Sequence, residues 1–279
     1  MSPHSHTHTE VHAHRSSHMA DMLDLDAAVL KDHLEEVISW VASHAPSSPR
    51  TVVDLGAGTG TGTLALAQRF ATADLVALDV SPTMLDRLRT AARSLGLTRR
   101  LRIVEADLDQ AWPEVGGVDV VWAASSLHHL SDADRALRDV HAALAPGGLL
   151  AVIEMDSHPR FLPQDIGLGQ PGLEERCRQA VAGRNWNAHP NWHSHLESAG
   201  FEVLQQRIFA YELRPAPPAA GLYAHTYFGR LRDAVADQLG EDDLRVLDAL
   251  LAEDGPDSLL HRPDLRVRGS RTAWAARKA

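Results

Sequence analysis

The sequence predicts an α/β fold, a doubly wound, mostly parallel sheet with helices on both faces. Between residues 51 and 155, short apolar segments alternate with segments whose apolar residues recur at helical spacing. Such alternation is typical of parallel strands joined by helical crossovers. The predicted boundaries agree, because Ser81-Pro82 is a typical helix start and Ala145-Pro146-Gly147-Gly148 a typical helix end. A glycine cluster at residues 54–62, directly after the first apolar segment, is the third observation.

A His-rich tail and an amphipathic helix precede the alternating region. Residues 1–18 contain six histidines among Ser, Thr and Ala residues. Because such a segment lacks the apolar surface to fold alone, we expect a disordered tail over residues 1–20. Its imidazoles can bind metal ions incidentally, but a flexible tail does not hold a catalytic metal rigidly, and no metal cofactor is expected. From Leu23 to Val41, apolar residues recur at steps of three and four, which predicts a helix.

Seven strands are predicted in all. In the alternating region the strands lie at 51–55, 74–80, 101–106, 118–125 and 149–155, and the helices near 61–70, 82–95 and 132–144. Beyond it we predict helices at 173–183 and 190–201, strands at 201–213 and 264–279, and two segments of helical spacing between those strands. The two late strands extend the sheet, and the helical insert between them covers one end of it.

Composition and charge argue against several classes of protein. The 27 basic and 37 acidic residues give a net charge of −10, the wrong sign for a protein whose main partner is nucleic acid. Cys177 is the single cysteine, which excludes a disulfide within the chain and fits a reducing compartment. Because no apolar run of about 18 residues occurs and the N-terminus is polar, we expect a cytoplasmic protein without a membrane partner. The oligomeric state is left open, a homodimer included.

The glycine cluster DLGAGTGTG points to a ligand site. In an open α/β sheet, ligands bind at the carboxyl ends of the strands, where the amides at a helix N-terminus donate to anionic groups. Asp79 ends the second strand, where an acidic residue accepts hydrogen bonds from ribose hydroxyls. Two ligand classes fit this arrangement, a nicotinamide or flavin dinucleotide and S-adenosylmethionine.

The spacing of the glycines favours the second class. In the dinucleotide pattern G-x-G-x-x-G, the last position falls on Thr61 or Thr63 when it is counted from Gly56 or Gly58. The looser frame formed by Gly60, Gly62 and Ala65 begins well beyond the end of the strand, so it is a weak match.

Asp54, Gly56, Gly58 and Gly60 form the pattern D-x-G-x-G-x-G, through which the chain resembles the class I S-adenosylmethionine-dependent methyltransferases of the small-molecule type. Four further segments match that family in order: LDVSPTML (78–85), EADL (105–108), SSLHHL (125–130) and LAPGG (144–148). The resemblance implies a Rossmann-like, seven-stranded domain over residues 21–279. Its cofactor-binding core would span 50–156, and its substrate or lid elements 157–200 and 214–263.

The resemblance also implies which residues contact S-adenosylmethionine. The methionine part would lie against Gly56, Gly58, Gly60 and the adjacent backbone, with Asp54 orienting the loop or accepting from the ammonium group. The remaining contacts would be Asp79 to the ribose hydroxyls, Asp107 to the adenine amino group, the backbone of Leu108 as a donor, and Ser125 or Ser126 near the sulfonium. Asp79 as a strand-end cap and Asp107 as a helix cap or turn residue are the alternatives.

His128 and His129 are the candidate catalytic residues. They follow the fourth strand, on the side where the transferred methyl group would point, and an imidazole suits removal of a proton from a hydroxyl acceptor. A structural hydrogen-bonding role for one of these rings is the alternative, and the sequence does not decide between the two.

The candidate substrate contacts lie in the late segments. They are Trp186, His189, Tyr223 and Tyr227, with Arg184, Asn185, Trp192, His193, His225 and Phe228 as further candidates. Aromatic and histidine clusters on cover helices commonly shape pockets for ring-containing substrates. The alternative is that Tyr227, Phe228 and the apolar residues after them form the core stripe of a helix.

These observations predict an enzyme that transfers a methyl group from S-adenosylmethionine to the O, N or C atom of a small molecule. A repurposed or non-catalytic S-adenosylmethionine-binding protein is the first alternative, because fold does not determine chemistry. A dinucleotide-dependent oxidoreductase is the second, and it rests on the weak glycine frame. The sequence does not name the methyl acceptor.

Overall fold

The computed structural model describes residues 19–182 and 191–279. Its strands are β1 (Thr51–Leu55), β2 (Asp74–Asp79), β3 (Leu101–Glu105), β4 (Val118–Ala124), β5 (Leu144–Met155), β6 (Phe201–Leu213) and β7 (Val267–Lys278). They form one sheet in the order β3-β2-β1-β4-β5-β7-β6. The first five strands pair in parallel, whereas β7 runs antiparallel to both β5 and β6. The predicted seven-stranded, mostly parallel sheet is confirmed.

The helices cover both faces and one end of this sheet. They are α1 (19–29), α2 (Lys31–His44), α3 (Thr61–Arg69), α4 (Pro82–Ser94), α5 (Ala133–Ala143), α6 (Leu173–Ala182), α7 (His193–Ser198), α8 (Ala220–Val235) and α9 (Glu241–Leu251). As predicted, α8 and α9 form a helical insert between the last two strands. None of the described helices is long and apolar enough to cross a membrane.

The single N-terminal helix predicted over Leu23 to Val41 is wrong, because the helix is interrupted at Leu30, with φ −105° and ψ 26°. The two halves bury their apolar residues in different places. Leu30 is 2% exposed and packs with the insert, whereas Val37 and Val41 pack on the sheet. Helix α1 already includes residues 19 and 20, so the predicted tail boundary at residue 20 lies inside it.

Four apolar cores hold the elements together among the described residues, and the smallest packs Leu85 and Leu88 of α4 against β2. Two of them lie on opposite faces of the sheet, around Val121 and Val152 on one face and Val120 and Ala151 on the other. The third joins α1, α6, α8 and α9 at the carboxyl edge of the parallel strands and includes Phe228, which is fully buried. Ligands bind at that edge in open α/β sheets, so the insert is placed to cover such a site.

Candidate functional site

The glycine turn lies at the carboxyl end of β1. The backbone N–H groups of Gly56 and Ala57 both donate to the carbonyl oxygen of Leu78, at 2.9 Å each, so β2 anchors the turn. Gly56, Gly58 and Gly60 have φ values of 73°, 54° and 96°, in the left-handed region that a side chain disfavours. The spacing of these glycines therefore follows from the backbone of the turn.

Two of these glycines are also required by close packing inside the protein. A Cβ atom at Gly56 would lie 2.4 Å from the Cβ of Ser126, and one at Gly60 would lie 2.2 Å from a methyl carbon of Leu88. Gly60 lies against α4 and is not part of the wall of the cavity described below. Gly60 therefore has a packing role against α4, and its contact with a cofactor stays a prediction.

Asp79 connects the glycine turn to helix α4. One carboxylate oxygen accepts from the Gly58 N–H and the other from the Ser81 N–H, each at 2.8 Å. The capping role and the ligand role are compatible, because each carboxylate oxygen can accept more than one hydrogen bond. Asp79 lies in the cavity wall, where it can also face ribose hydroxyls.

The Asp54 carboxylate is directed into the protein. It is 2% exposed, and its Oδ2 accepts from the Thr63 hydroxyl at 2.6 Å. Burial raises the pKa of Asp54 to about 7, opposed by the hydrogen bond from Thr63. Of the two roles considered for Asp54, this contact fits the orienting one, because it ties the end of β1 to the first turn of α3.

The turn after β3 presents Asp107 and Leu108 to the cavity. The Asp107 carboxylate is exposed and accepts from the Asp109 N–H at 3.0 Å, a local turn contact. Leu108 is buried, and its carbonyl oxygen accepts from Arg135. Its N–H makes no hydrogen bond to another described residue, so it is suitably placed as a donor to a ligand.

The two serines after β4 have different tasks. Ser126 is buried and donates to the carbonyl oxygen of Leu55 at 2.7 Å, which joins the ends of β4 and β1. Ser125 has a φ of 51°, the one positive value at a described non-glycine residue, and its N–H donates to Ile153 at 2.8 Å. Backbone strain of this kind concentrates at functional sites, and Ser125 lines the cavity.

One cavity of about 660 Å³ joins the glycine turn to the helical insert. Its wall includes Asp54, Gly56, Gly58, Asp79, Asp107, Leu108 and Ser125 from the ends of the parallel strands, and Tyr223, Tyr227 and Arg230 from α8 with Arg271 from β7. His128, His129 and His158 line it as well. The volume lies within the range of small-molecule sites, about 300–1,000 Å³.

A histidine and a buried glutamate meet in the cavity wall. The Nδ1 of His128 lies 2.8 Å from Oε2 of Glu154, a residue of β5 that is 1% exposed. Because an ionised carboxylate only accepts, Nδ1 donates, and Nε2 is the lone-pair nitrogen of the neutral ring. Oε1 of Glu154 is buried and has no hydrogen-bond partner among the described residues. Glu154 was not among the residues predicted for the site, because its position in the sequence is that of an interior strand residue.

The neighbouring ring of His129 has its centroid 4.1 Å from that of His128. Burial, followed by the proximity of His128, lowers the pKa of His129. His129 is therefore neutral at physiological pH. Its ring has a nitrogen lone pair that can accept a proton, and no proton has to be removed from the ring first.

Another part of the cavity wall is formed by the helical insert and α1. The Tyr223 hydroxyl donates to Asp26 at 2.8 Å, and Arg271 on β7 makes an ion pair with the other oxygen of Asp26 at 2.5 Å. Burial raises the pKa of Tyr223 well above its ordinary value. Tyr223 and Tyr227 belong both to the third core and to the cavity wall. The core-stripe interpretation therefore holds for Tyr227, and contact of either tyrosine with a substrate stays a prediction.

The other predicted substrate contacts lie elsewhere. Trp192 and Phe228 are core residues, His193 pairs with Glu197 at 3.4 Å, and His225 contacts the carbonyl oxygen of Leu251. None of these four lines the cavity among the residues that the structure describes. Arg184, Asn185, Trp186 and His189 lie outside the described residues, as does most of the His-rich tail.

The residues present fit an adenosyl amino acid. Three groups follow the neighbouring parallel strands β1, β2 and β3, in that order. They are the backbone of the turn, the Asp79 carboxylate, and the Asp107 carboxylate with the Leu108 N–H. They therefore present backbone donors, a carboxylate, and a second carboxylate beside an amide donor in one row. Beyond this row, the cavity continues towards the insert, where a second molecule has room.

Comparison with known proteins agrees with this arrangement. Residues 52–148 match a family described as "Methyltransferase domain". A demethylmenaquinone methyltransferase from Thermus thermophilus is 36% identical over 40% of this chain and 50% of its own length. A trans-aconitate 2-methyltransferase from Methylobacterium radiotolerans is 31% identical over 68% of this chain and 65% of its own length. The chain thus spans half to two thirds of these relatives.

Among solved structures, the fold is shared with the 4+2 cyclase SpnF. The TM-score is 0.51 at 19% identity, and the match covers 88% of this chain and 81% of the cyclase. At this identity the likeness concerns the fold alone. The family match, the two relatives and the seven-stranded order together support a class I S-adenosylmethionine-dependent methyltransferase.

Proposed function

We propose that this protein transfers a methyl group from S-adenosylmethionine to a small molecule that binds in the same cavity. The observation that carries the proposal is the continuity of that cavity, because the glycine turn and the aromatic wall of the insert enclose one space. Two ligands that must react with each other need such a shared space. The cavity has room for both reacting ends.

The cofactor is proposed to lie along the carboxyl ends of β1, β2 and β3. Its amino-acid end would lie against the backbone of Gly56 and Gly58, its ribose against Asp79, and its adenine between Asp107 and the Leu108 N–H. When bound, S-adenosylmethionine supplies a methyl group on a sulfonium whose departure leaves a neutral thioether. The protein then has to align the acceptor and take up its proton, and alignment contributes up to roughly 7 to 11 kcal/mol.

His128 is the proposed base for an acceptor that carries a proton. The Glu154 carboxylate holds Nδ1–H at 2.8 Å and thereby directs the lone pair of the neutral ring to Nε2. When the acceptor is methylated, Nε2 would take up the proton that the acceptor atom loses. Glu154 then faces an imidazolium, which a buried carboxylate stabilises. His129 is the neighbouring alternative, but no hydrogen bond to a carboxylate among the described residues orients its ring.

The proposal is tested by incubating the protein with methyl-labelled S-adenosylmethionine and the small-molecule fraction of a cell extract. We expect label in a small molecule, in an amount that depends on the protein and falls when His128 is replaced by Ala. Serum albumin in place of the protein serves as the control for spontaneous methylation. Absence of label despite saturable binding of S-adenosylhomocysteine would contradict the activity while retaining the cofactor.

That last outcome would favour a repurposed S-adenosylmethionine-binding protein. A solved structure named as a cyclase has this fold, so the fold alone does not require methyl transfer. The oxidoreductase reading has less support, because Gly60, the first glycine of its frame, packs on Leu88 and is not part of the cavity wall. Stabilisation of the protein by NAD against heat would favour that reading.

A further inference from the structure

Arg230 on helix α8 is partly buried in the cavity wall without an anionic partner. Its one hydrogen bond among the described residues runs from Nη1 to the sulfur of Met19, at 3.5 Å. A thioether is a weak acceptor and does not neutralise a guanidinium, which carries five N–H donors. Arg230 therefore lines the cavity with its charge and most of its donors unsatisfied by residues 19–182 and 191–279.

Other arginines nearby are satisfied. Arg271, which lines the same cavity, is paired with Asp26 at 2.5 Å. Arg232, two residues after Arg230 on the same helix, pairs with Asp248 at 2.8 Å. Burial lowers the pKa of Arg230, and no carboxylate acts to raise it. A cation taken out of water costs free energy unless an anion compensates it, so this position favours an anion in the cavity.

The surroundings of Arg230 favour a single negative charge. Burial, followed by the charge of Arg230, lowers the pKa of His158, so this ring is neutral at physiological pH. His158 packs near Tyr227, with ring centroids 5.9 Å apart. Tyr227 is neutral as well, because burial raises its pKa. A guanidinium forks onto a carboxylate with two parallel hydrogen bonds, whereas a phosphate dianion normally needs more than one cation.

We propose that Arg230 binds a carboxylate group of the methyl acceptor, at the part of the cavity wall that α8 forms. The inference rests on the proposed function and names the class of acceptor, a small carboxylic acid whose reacting atom points towards His128. The carboxylate is a recognition group and takes no part in bond formation. Arg230 is thus a specificity-determining residue. The acceptor binds less tightly when the positive charge of Arg230, or its pair of parallel N–H donors, is removed.

For the test, the small-molecule fraction of a cell extract is separated on an anion-exchange resin into a retained pool and an unretained pool. The protein is used at full length. Each pool is incubated with methyl-labelled S-adenosylmethionine. We expect label from the retained pool, with the KM for that pool raised at least 10-fold in Arg230→Gln and less in Arg230→Lys. The control Arg232→Gln, whose exposed ion pair contributes little, is expected to match the wild type.

Binding of S-adenosylhomocysteine, measured by calorimetry, separates misfolding from a specific effect, and it is expected to be equal in all four proteins. Label from the unretained pool alone, or equal turnover by Arg230→Gln and the wild type, overturns the inference while the proposed function stands. Absence of label from both pools overturns the proposed function and this inference with it. Glu10 is the acidic residue of segment 1–18, so the Glu10→Gln variant tests whether this carboxylate is the partner of Arg230. A raised KM in this variant would also overturn the inference.

Discussion

Nδ1 of His128 donates to Oε2 of Glu154 across 2.8 Å, so that a residue of β5 sets the orientation of a ring that follows β4. If this contact positions the proposed base, Glu154→Gln lowers kcat about 10- to 100-fold, because the amide stabilises an imidazolium less than a carboxylate does. The KM for S-adenosylmethionine stays unchanged. Steady-state kinetics with the identified acceptor measures both.

The matched control is Glu202→Gln, which removes an exposed carboxylate from β6. Glu154→Asp should restore part of kcat if the carboxylate charge matters. Equal kinetics for Glu154→Gln and the wild type would mean that Glu154 does not position the base.

The glycine turn predicts a contrast between two Gly→Ala variants with similar backbone angles. Gly56 and Gly147 have φ values of 73° and 76°, but a Cβ meets Ser126 at Gly56 and nothing within 4 Å at Gly147. Gly147→Ala should cost about 1 to 2 kcal/mol of unfolding free energy for the backbone alone. Gly56→Ala should cost a further 1 to 3 kcal/mol or so for the overlap.

Urea unfolding measures the two costs, and calorimetry with S-adenosylhomocysteine measures binding. We expect Gly56→Ala to lose binding and Gly147→Ala to keep it. Equal destabilisation of the two variants would show that the turn shifts away from Ser126 without penalty.

The buried Glu174 predicts a pH dependence of stability. It is 7% exposed, and burial raises its pKa from 4.5 to about 7, although the N–H groups of Phe161 and Leu162 donate to it. The folded state therefore favours the protonated acid. Its contribution to stability is complete below pH 4.5 and is lost as the pH rises through 7, by about 2 to 3 kcal/mol between pH 5 and 8.

Urea unfolding at pH 5 and pH 8 checks this for the wild type and Glu174→Gln. The loss between the two pH values should be smaller in the variant by that amount. Since all other titrating groups are shared, the difference isolates Glu174. An identical pH dependence of both proteins would show that Glu174 titrates in the native protein as it does in the unfolded chain.

Local patterns in the sequence predicted the sheet and the glycine turn with Asp79. The strand predicted at 201–213 is Phe201–Leu213 in the structure, and the turn glycines and Asp79 are where their spacing placed them. These features depend on residues close together in the chain. Alternation of apolar residues and turn chemistry therefore report them directly.

The rest depends on contacts between distant parts of the chain. Asp26 and Arg271 are 245 residues apart, and no local pattern pairs them. The break at Leu30 likewise follows from packing into two cores, although the apolar spacing continues through it. Glu154 differs, because a charged residue within the apolar strand LLAVIEM was a signal of a buried polar contact.

The most direct measurement of the central claim is a calorimetric titration of S-adenosylhomocysteine into the wild type and Asp79→Asn. The account predicts one saturable site per chain, weakened about 10-fold or more in the variant, since a hydrogen bond to a charged group contributes about 1.5 to 3 kcal/mol. Titration of NAD under the same conditions should give no saturation. Saturable binding of NAD without any binding of S-adenosylhomocysteine would contradict the account.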